Sequence, residues 1–118
     1  MLTNFEDMQN PESEAKKVQD LILTGIKARK KNNPVKSKKI EESLRIKGPI
    51  VRSAIKSLRR SGHPIVSTSK GYWYDGNWSE MDKTIESLRQ RGTSILKTAN
   101  ELEKAQIDYR EAVGKFYT

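Results

Sequence analysis

The last third of the chain carries a row of apolar positions whose spacing alternates between four and three residues. The row runs from residue 81 to residue 116, over about five heptads. A repeat of this length is typical of a helix that pairs with another helix. We therefore predict that residues 78–118 form one oligomerisation helix, with these contact positions: Met81, Ile85, Leu88, Ile95, Ala99, Leu102, Gln106, Tyr109, Val113 and Phe116.

The two edges of this row differ in the size of their side chains. One edge holds a large residue at every seventh position, whereas the other holds Gly92, Ala99 and Gln106. Small residues either let two helices approach closely or, at Gly92, break the helix, since glycine costs about 1 kcal/mol in a helix interior. Parallel and antiparallel pairing both fit the pattern, as does a single helix that folds back onto its own domain.

Residues 11–77 carry the pattern of a compact helical domain, preceded by a flexible amino terminus at residues 1–10. A first helix is expected over 11–31, because proline suits a first helical position and Asn33-Pro34 ends a helix. Its apolar stripe is Ala15, Val18, Leu21, Ile22 and Ile26.

Two further helices are expected, separated by a tight turn. Ser37 is placed to cap a short helix over 38–44, and Gly48-Pro49 opens the next helix. Ser61-Gly62 ends that helix. Its buried stripe is expected to be Val51, Ala54, Ile55 and Leu58.

A β-hairpin is expected after the third helix. Residues 63–67 and 72–74 are rich in β-formers, and the loop between them offers Gly71 for a positive φ angle. Val35-Lys36 is long enough for a single β-bridge. The fold class predicted is therefore mainly α: a winged helix of three helices with a two- or three-stranded β-hairpin wing, followed by a long C-terminal coiled-coil helix.

Positive charge is concentrated in this domain. The chain carries a net charge of +8. Residues 27–70 hold fourteen Lys or Arg against only Glu41 and Glu42, a balance of +12, whereas both flanking segments are slightly acidic. Such a block is typical of a surface that binds a polyanion.

The segment LRIKGPIVRSAIKSLRRSGHPIVSTSKGYWY, residues 44–74, resembles the winged-helix domains at the amino terminus of bifunctional biotin ligase/repressors and related bacterial regulators. The resemblance rests on the apolar stripe of the third helix, the stop at Gly62 and the wing end at Lys70-Gly71-Tyr72. It covers about residues 14–75 and implies DNA binding. Family members often have glycine where this chain has Arg45, so we expect a turn about one residue longer, with Gly48 in the unusual backbone conformation.

The resemblance makes the third helix the recognition helix, and the helical wheel selects its DNA-facing side. Arg52 is the first candidate for base contact, because arginine pairs with guanine in the major groove, and Ser53 is the second. Lys47, at the start of the helix, is placed to contact either bases or phosphates, and the remaining positions are expected near phosphates or the minor groove. The full set of candidate DNA-binding residues is Lys36, Lys38, Lys39, Lys47, Pro49, Arg52, Ser53, Lys56, Arg59, Arg60, Ser69 and Lys70.

The aromatic residues of the hairpin allow two interpretations. Tyr72 and Tyr74 share one side of a strand, which favours core positions. Trp73 and Trp78 either pack the long helix against the sheet or stack on unpaired bases.

The predicted function is therefore double-stranded DNA binding by site occupancy. It would be carried out by a homodimer or higher oligomer, with a possible replication or transcription protein as partner. A small transcriptional regulator or replication accessory factor, of the phage or mobile-element kind, fits this size. The alternatives are a protein-interaction adaptor and a binder of single-stranded nucleic acid or RNA.

Catalysis has no support in the sequence. The chain has one histidine, His63, and no cysteine, so it lacks a recognisable metal set or nucleophile pair. We expect no enzyme activity, no cofactor and no metal. We also expect no membrane association and a cytoplasmic, DNA-associated location, because no apolar run approaches the ~20 residues that span a bilayer and the acidic amino terminus does not resemble a targeting signal.

Overall fold

A computed structural model describes residues 11–117, so the flexible segment expected at residues 1–10 lies outside the described residues. This part of the chain is mainly helical and forms two units, one ending at Met81 and one formed by the long last helix. Its elements are α1 (Pro11–Lys27), α2 (Ser37–Leu44), α3 (Gly48–Arg60), β1 (Ile65–Thr68), β2 (Gly71–Tyr74) and α4 (Asp82–Tyr117). The sequence predicted this order of helices, hairpin and long helix.

The core of the first unit lies where α1 and α2 pack on α3 and α1 also contacts β2. The predicted stripe of α3 is buried, and Ile22 and Ile26 of α1 join it. Ala15 and Leu21 were predicted in the same stripe but are exposed. The core residues are Ile22, Ile26, Val35, Ile40, Val51, Ala54, Ile55, Leu58 and Ile65.

The first helix ends four residues earlier than the sequence predicted. α1 stops at Lys27, and a separate turn follows. In that turn the Lys30 N–H donates to Asn33 Oδ1 at 2.8 Å, and the Asn33 N–H donates to the Lys30 carbonyl at 3.0 Å. The asparagine side chain thus takes a backbone N–H that would otherwise donate to a carbonyl within the helix, which is how such residues end helices.

The turn between α2 and α3 contains an arginine in a left-handed conformation. Arg45 has φ 54° and ψ 48°, whereas Gly48 is already the first residue of α3. The prediction that Gly48 takes the unusual conformation is therefore wrong. Ser37 is likewise the first residue of α2, where its hydroxyl donates to Glu41 Oε2 at 3.0 Å, and it is not the cap that was predicted.

The end of α3 leads directly into the hairpin. Gly62 has φ +96°, and the Gly62 and His63 N–H groups donate to the carbonyls of Arg59 and Leu58, both at 3.0 Å. This is the Schellman arrangement that commonly ends helices at glycine. Ser61-Gly62 thus ends the helix as predicted.

β1 and β2 pair antiparallel through a loop of two residues, Ser69 and Lys70. The predicted bridge is present, because Val35 and Tyr72 exchange two hydrogen bonds of 2.8 Å each. Gly71 lies beside that bridge with φ +131°. A Cβ there would be 2.5 Å from the Val35 carbonyl oxygen, so only glycine fits.

A second, smaller core covers the other face of the hairpin. It consists of Val66, Trp73 and Met81. The buried Asp75 carboxylate positions the chain between Trp73 and Met81 by accepting the Glu80 N–H at 2.6 Å. Met81, predicted as the first oligomerisation residue, is therefore part of this core because that turn brings it back onto Trp73.

α4 is one helix of 36 residues that continues through Gly92 without a break. Its predicted contact row remains largely exposed in the single chain: Ile95 is 71% exposed, Leu102 66% and Tyr109 70%. Among the described residues, no helix combines the length and hydrophobicity that crossing a membrane requires.

Candidate nucleic-acid interface

A shallow groove of about 460 Å³ separates the start of α2 from α3 and the hairpin. We call it the cationic groove. It brings together four of the predicted DNA-binding residues, Lys36, Lys38, Arg52 and Ser69. The complete lining is Lys36, Ser37, Lys38, Glu41, Arg52, Ser67, Thr68, Ser69, Gly71 and Tyr72.

The β-bridge fixes the lysines that line this groove. Val35 pairs with Tyr72, so the following Lys36 is held beside the hairpin and begins α2 as its cap residue. The Lys36 carbonyl accepts the N–H groups of Lys39 and Ile40, at 3.0 and 3.3 Å. Lys36, Lys38 and Lys39 are all exposed around this helix end.

The amino-terminal ends of α2 and α3 carry positive charge where a helix favours negative charge. Each helix is preceded by a lysine, Lys36 or Lys47, with no side-chain cap and no acidic residue in its first turn. α1, in contrast, has Glu12 and Glu14 in its first turn. Because the helix dipole also places partial positive charge at these ends, a bound anion would relieve the repulsion there.

The outward face of α3 carries the basic residues that the helical wheel selected. Arg52, Lys56 and Arg60 are exposed, as are Pro49 and Ser53. The Arg52 guanidinium lies over the first turn of α3, where its Nη1 is 3.1 Å from the position that a Cβ on Gly48 would occupy. A side chain directed toward the helix amino terminus has the reach that base contact in a major groove requires.

Pro49 and Ser53 face a different side of α3 from Arg52. They line a second groove, of about 390 Å³, between α1 and α3. Its other residues are mostly apolar: Glu14, Ala15, Val18, Gln19, Ile46, Ile50 and Ala54. The predicted site residues on α3 are thus divided between a charged side and an apolar side.

Arg59 has a structural contact inside the domain. Its Nε and Nη2 donate to the Ile65 carbonyl at 3.0 and 2.9 Å, and Nη2 also donates to Ser67 Oγ at 3.1 Å. The side chain is half-buried and joins the end of α3 to β1. The structure therefore places Arg59 as a support of the hairpin, whereas the sequence predicted a phosphate contact.

The two residues at the tip of the hairpin extend the charged surface. Ser69 and Lys70 are exposed, and the Lys70 N–H donates to Thr68 Oγ1 at 3.1 Å. The Thr68 hydroxyl in turn donates to the Gly71 carbonyl at 3.3 Å. The Thr68 hydroxyl therefore stabilises the loop that contains Ser69 and Lys70.

The two tryptophans differ in accessibility. Trp73 is 6% exposed and packs against Val66 and Met81, so it offers no face on which a base could stack. Trp78 is 55% exposed and has φ 61°. Tyr72 and Tyr74 pack against the main core, as predicted.

Sequence reasoning missed the polar residues that shape the cationic groove. Glu41 is not among the predicted site residues, but it is half-buried in the groove and accepts the Ser37 hydroxyl. Ser67 and Thr68 were interpreted only as hairpin residues. The i, i+4 spacing of Ser37 and Glu41 was the available signal, since such pairs face each other on a helix.

Comparison of the chain with protein-family models, curated proteins and solved structures finds no match.

Proposed function

We propose that this protein binds double-stranded DNA through the cationic groove and the outward face of α3. In this proposal the first unit is a winged helix, α3 enters the major groove, and the hairpin is the wing. The cationic groove is the observation that carries the proposal, because it places lysines of α2, an arginine of α3 and the hairpin loop on one surface.

The charges on this surface have the roles that duplex recognition needs. Arg52 would contact base edges in the DNA major groove. Lys56 and Arg60 would contact phosphates on either side of that major groove. A phosphate would bind at the start of α2, beside Lys36, Lys38 and Lys39. Lys70, in the wing, would contact another phosphate. Glu41 would not contact DNA, since its carboxylate repels phosphate and accepts the Ser37 hydroxyl.

We further propose that the protein acts as a homodimer through α4, and that its effect is site occupancy. The exposed row on α4 supports this part, because a continuous stripe of large apolar side chains on a helix is normally covered by a partner. A small transcriptional regulator or a replication accessory factor would work in this way. Sedimentation equilibrium should give a dimer mass, and Leu102→Lys should give a monomer.

A double variant tests the DNA-binding proposal. Arg52→Glu with Lys56→Glu should reduce duplex affinity by at least a hundredfold, because two contacts become repulsive. The matched control is Lys97→Glu with Lys104→Glu, which makes the same change of charge on α4 and should alter affinity by less than about fivefold. Equal losses in both variants would show that binding depends on total charge and not on this groove.

A second candidate function is docking on a replication or transcription protein. The apolar groove between α1 and α3 favours it, since Ile50 is 47% exposed there. In that case the double variant at Arg52 and Lys56 would leave the function intact, whereas Ile50→Asp would abolish it.

A further inference from the structure

The exposed face of α4 has a pattern that distinguishes between two ways of pairing. The positions 85, 92, 99, 106 and 113 form its small edge, and 88, 95, 102, 109 and 116 form its large edge. In a parallel pair each edge meets its own copy, so Gly92 would face glycine and Ala99 would face alanine. Consecutive layers of such small residues leave voids, which are costly in a packed interface.

We infer that α4 pairs with a second copy of itself in antiparallel orientation, with the two-fold axis close to residues 96 and 97. This inference rests on the proposed self-association through α4 and defines its geometry. In this register each small residue meets a large one. Gly92 lies opposite Leu102 of the second copy, and Ala99 lies opposite Ile95 of the second copy.

The residues that flank the contact row support the same register independently. On one flank, antiparallel pairing places Arg89 opposite Glu103 of the second copy and Asp82 opposite Arg110 of the second copy. Leu96, which is 62% exposed in the single chain, meets its own copy at the axis. Four ion pairs therefore surround one central apolar contact.

Parallel pairing brings no opposite charges together along the same flanks. It would place Arg91 beside Leu96, Thr98 beside Glu103 and Ala105 beside Arg110. Charge and volume thus both favour the antiparallel register, although they depend on different residues.

Antiparallel pairing changes the distance between the two junctions that join α4 to the first units. Each first unit is joined to α4 at Asp82. The two junctions would lie about 45 Å apart along the helix pair, against about 10 Å in a parallel pair. Antiparallel pairing thus separates the two points at which the first units are attached, whereas parallel pairing brings them side by side.

Spin labels at two exposed positions on the outer side of α4 test the orientation. The chain has no cysteine, so Lys97→Cys and Glu111→Cys each give one label per chain. Electron–electron dipolar measurements on the antiparallel dimer should give about 20 Å for position 97 and about 45 Å for position 111. About 20 Å at both positions would show a parallel pair, and no coupling at either would show no pair. Either result overturns the inference.

A charge exchange tests the register. Arg89→Glu should raise the dimer dissociation constant about tenfold, because it places glutamate opposite Glu103. Adding Glu103→Arg to Arg89→Glu should restore the dissociation constant of the unmodified dimer. The control, Arg91→Glu, makes the same charge change opposite Ala105 of the second copy. It should alter the dimer dissociation constant by less than about twofold. Absence of rescue would contradict the register. These measurements contain no DNA, so their failure leaves the DNA-binding proposal to be judged separately.

Discussion

Two backbone positions with positive φ angles set the path of the chain, one at the end of α2 and one in the hairpin. Arg45 takes the left-handed conformation at the end of α2, and Gly71 approaches the Val35 carbonyl beside the β-bridge. The sequence predicted the positive φ angle of Gly71 from the hairpin loop, but it assigned the unusual turn conformation to Gly48. That choice followed the general preference of glycine, which the structure overrides at Arg45.

Gly71→Ala should lower the free energy of unfolding by about 2 kcal/mol or more, since its Cβ would clash with backbone at an unfavourable φ angle. Gly25→Ala is the matched control within the same unit. A Cβ on Gly25 meets nothing within 4 Å in α1, so this variant should gain up to about 1 kcal/mol. Urea denaturation of both variants measures the difference, and equal stability would refute the close approach at Gly71.

Arg45→Gly should stabilise the first unit by about 0.5–1 kcal/mol, because an exposed arginine in the left-handed region is strained and glycine is not. Arg45→Ala removes the same charge but keeps the strain, so its stability should stay close to that of the wild type. Thermal unfolding compares the three proteins. A gain of the same size in both variants would attribute the effect to charge.

At the scale of elements, the apolar patterns predicted the helices well and their polar ends less well. The stripe of α3 and the bridge at Val35 could be predicted because periodicity and a short β-prone segment are local signals. The end of α1 depends on the Asn33 side chain, and the role of Arg59 depends on a strand six residues away. Contacts of this kind become visible only once the elements pack.

Arg59 and Arg60 are adjacent arginines with different expected roles. Arg59→Met should lower the free energy of unfolding by about 1–3 kcal/mol, because the carbonyl of the buried Ile65 and the half-buried Ser67 hydroxyl lose a donor. Arg60→Met should change it by less than about 0.5 kcal/mol and weaken DNA binding instead. Denaturation and binding assays on both variants separate the roles, and an opposite assignment of the two effects would contradict the structure.

At the scale of the whole molecule, charge and apolar surface are divided between the two units. The first unit holds the positive block and the cationic groove, and α4 holds the exposed contact row. The sequence predicted this division from charge balance and spacing, because both extend over many residues. It could not predict that Met81 belongs to the first unit, since its burial depends on a turn built around Asp75.

DNA binding is tested most directly by a fluorescence-anisotropy titration of the full chain against random duplex DNA and a matching single strand at several salt concentrations. We expect a preference for the duplex, with affinity that falls steeply as salt rises, because several phosphate contacts each release a counterion. Equal binding to the two DNA forms would contradict recognition by α3 in a major groove. Absence of binding to both at low salt would contradict the proposed function itself.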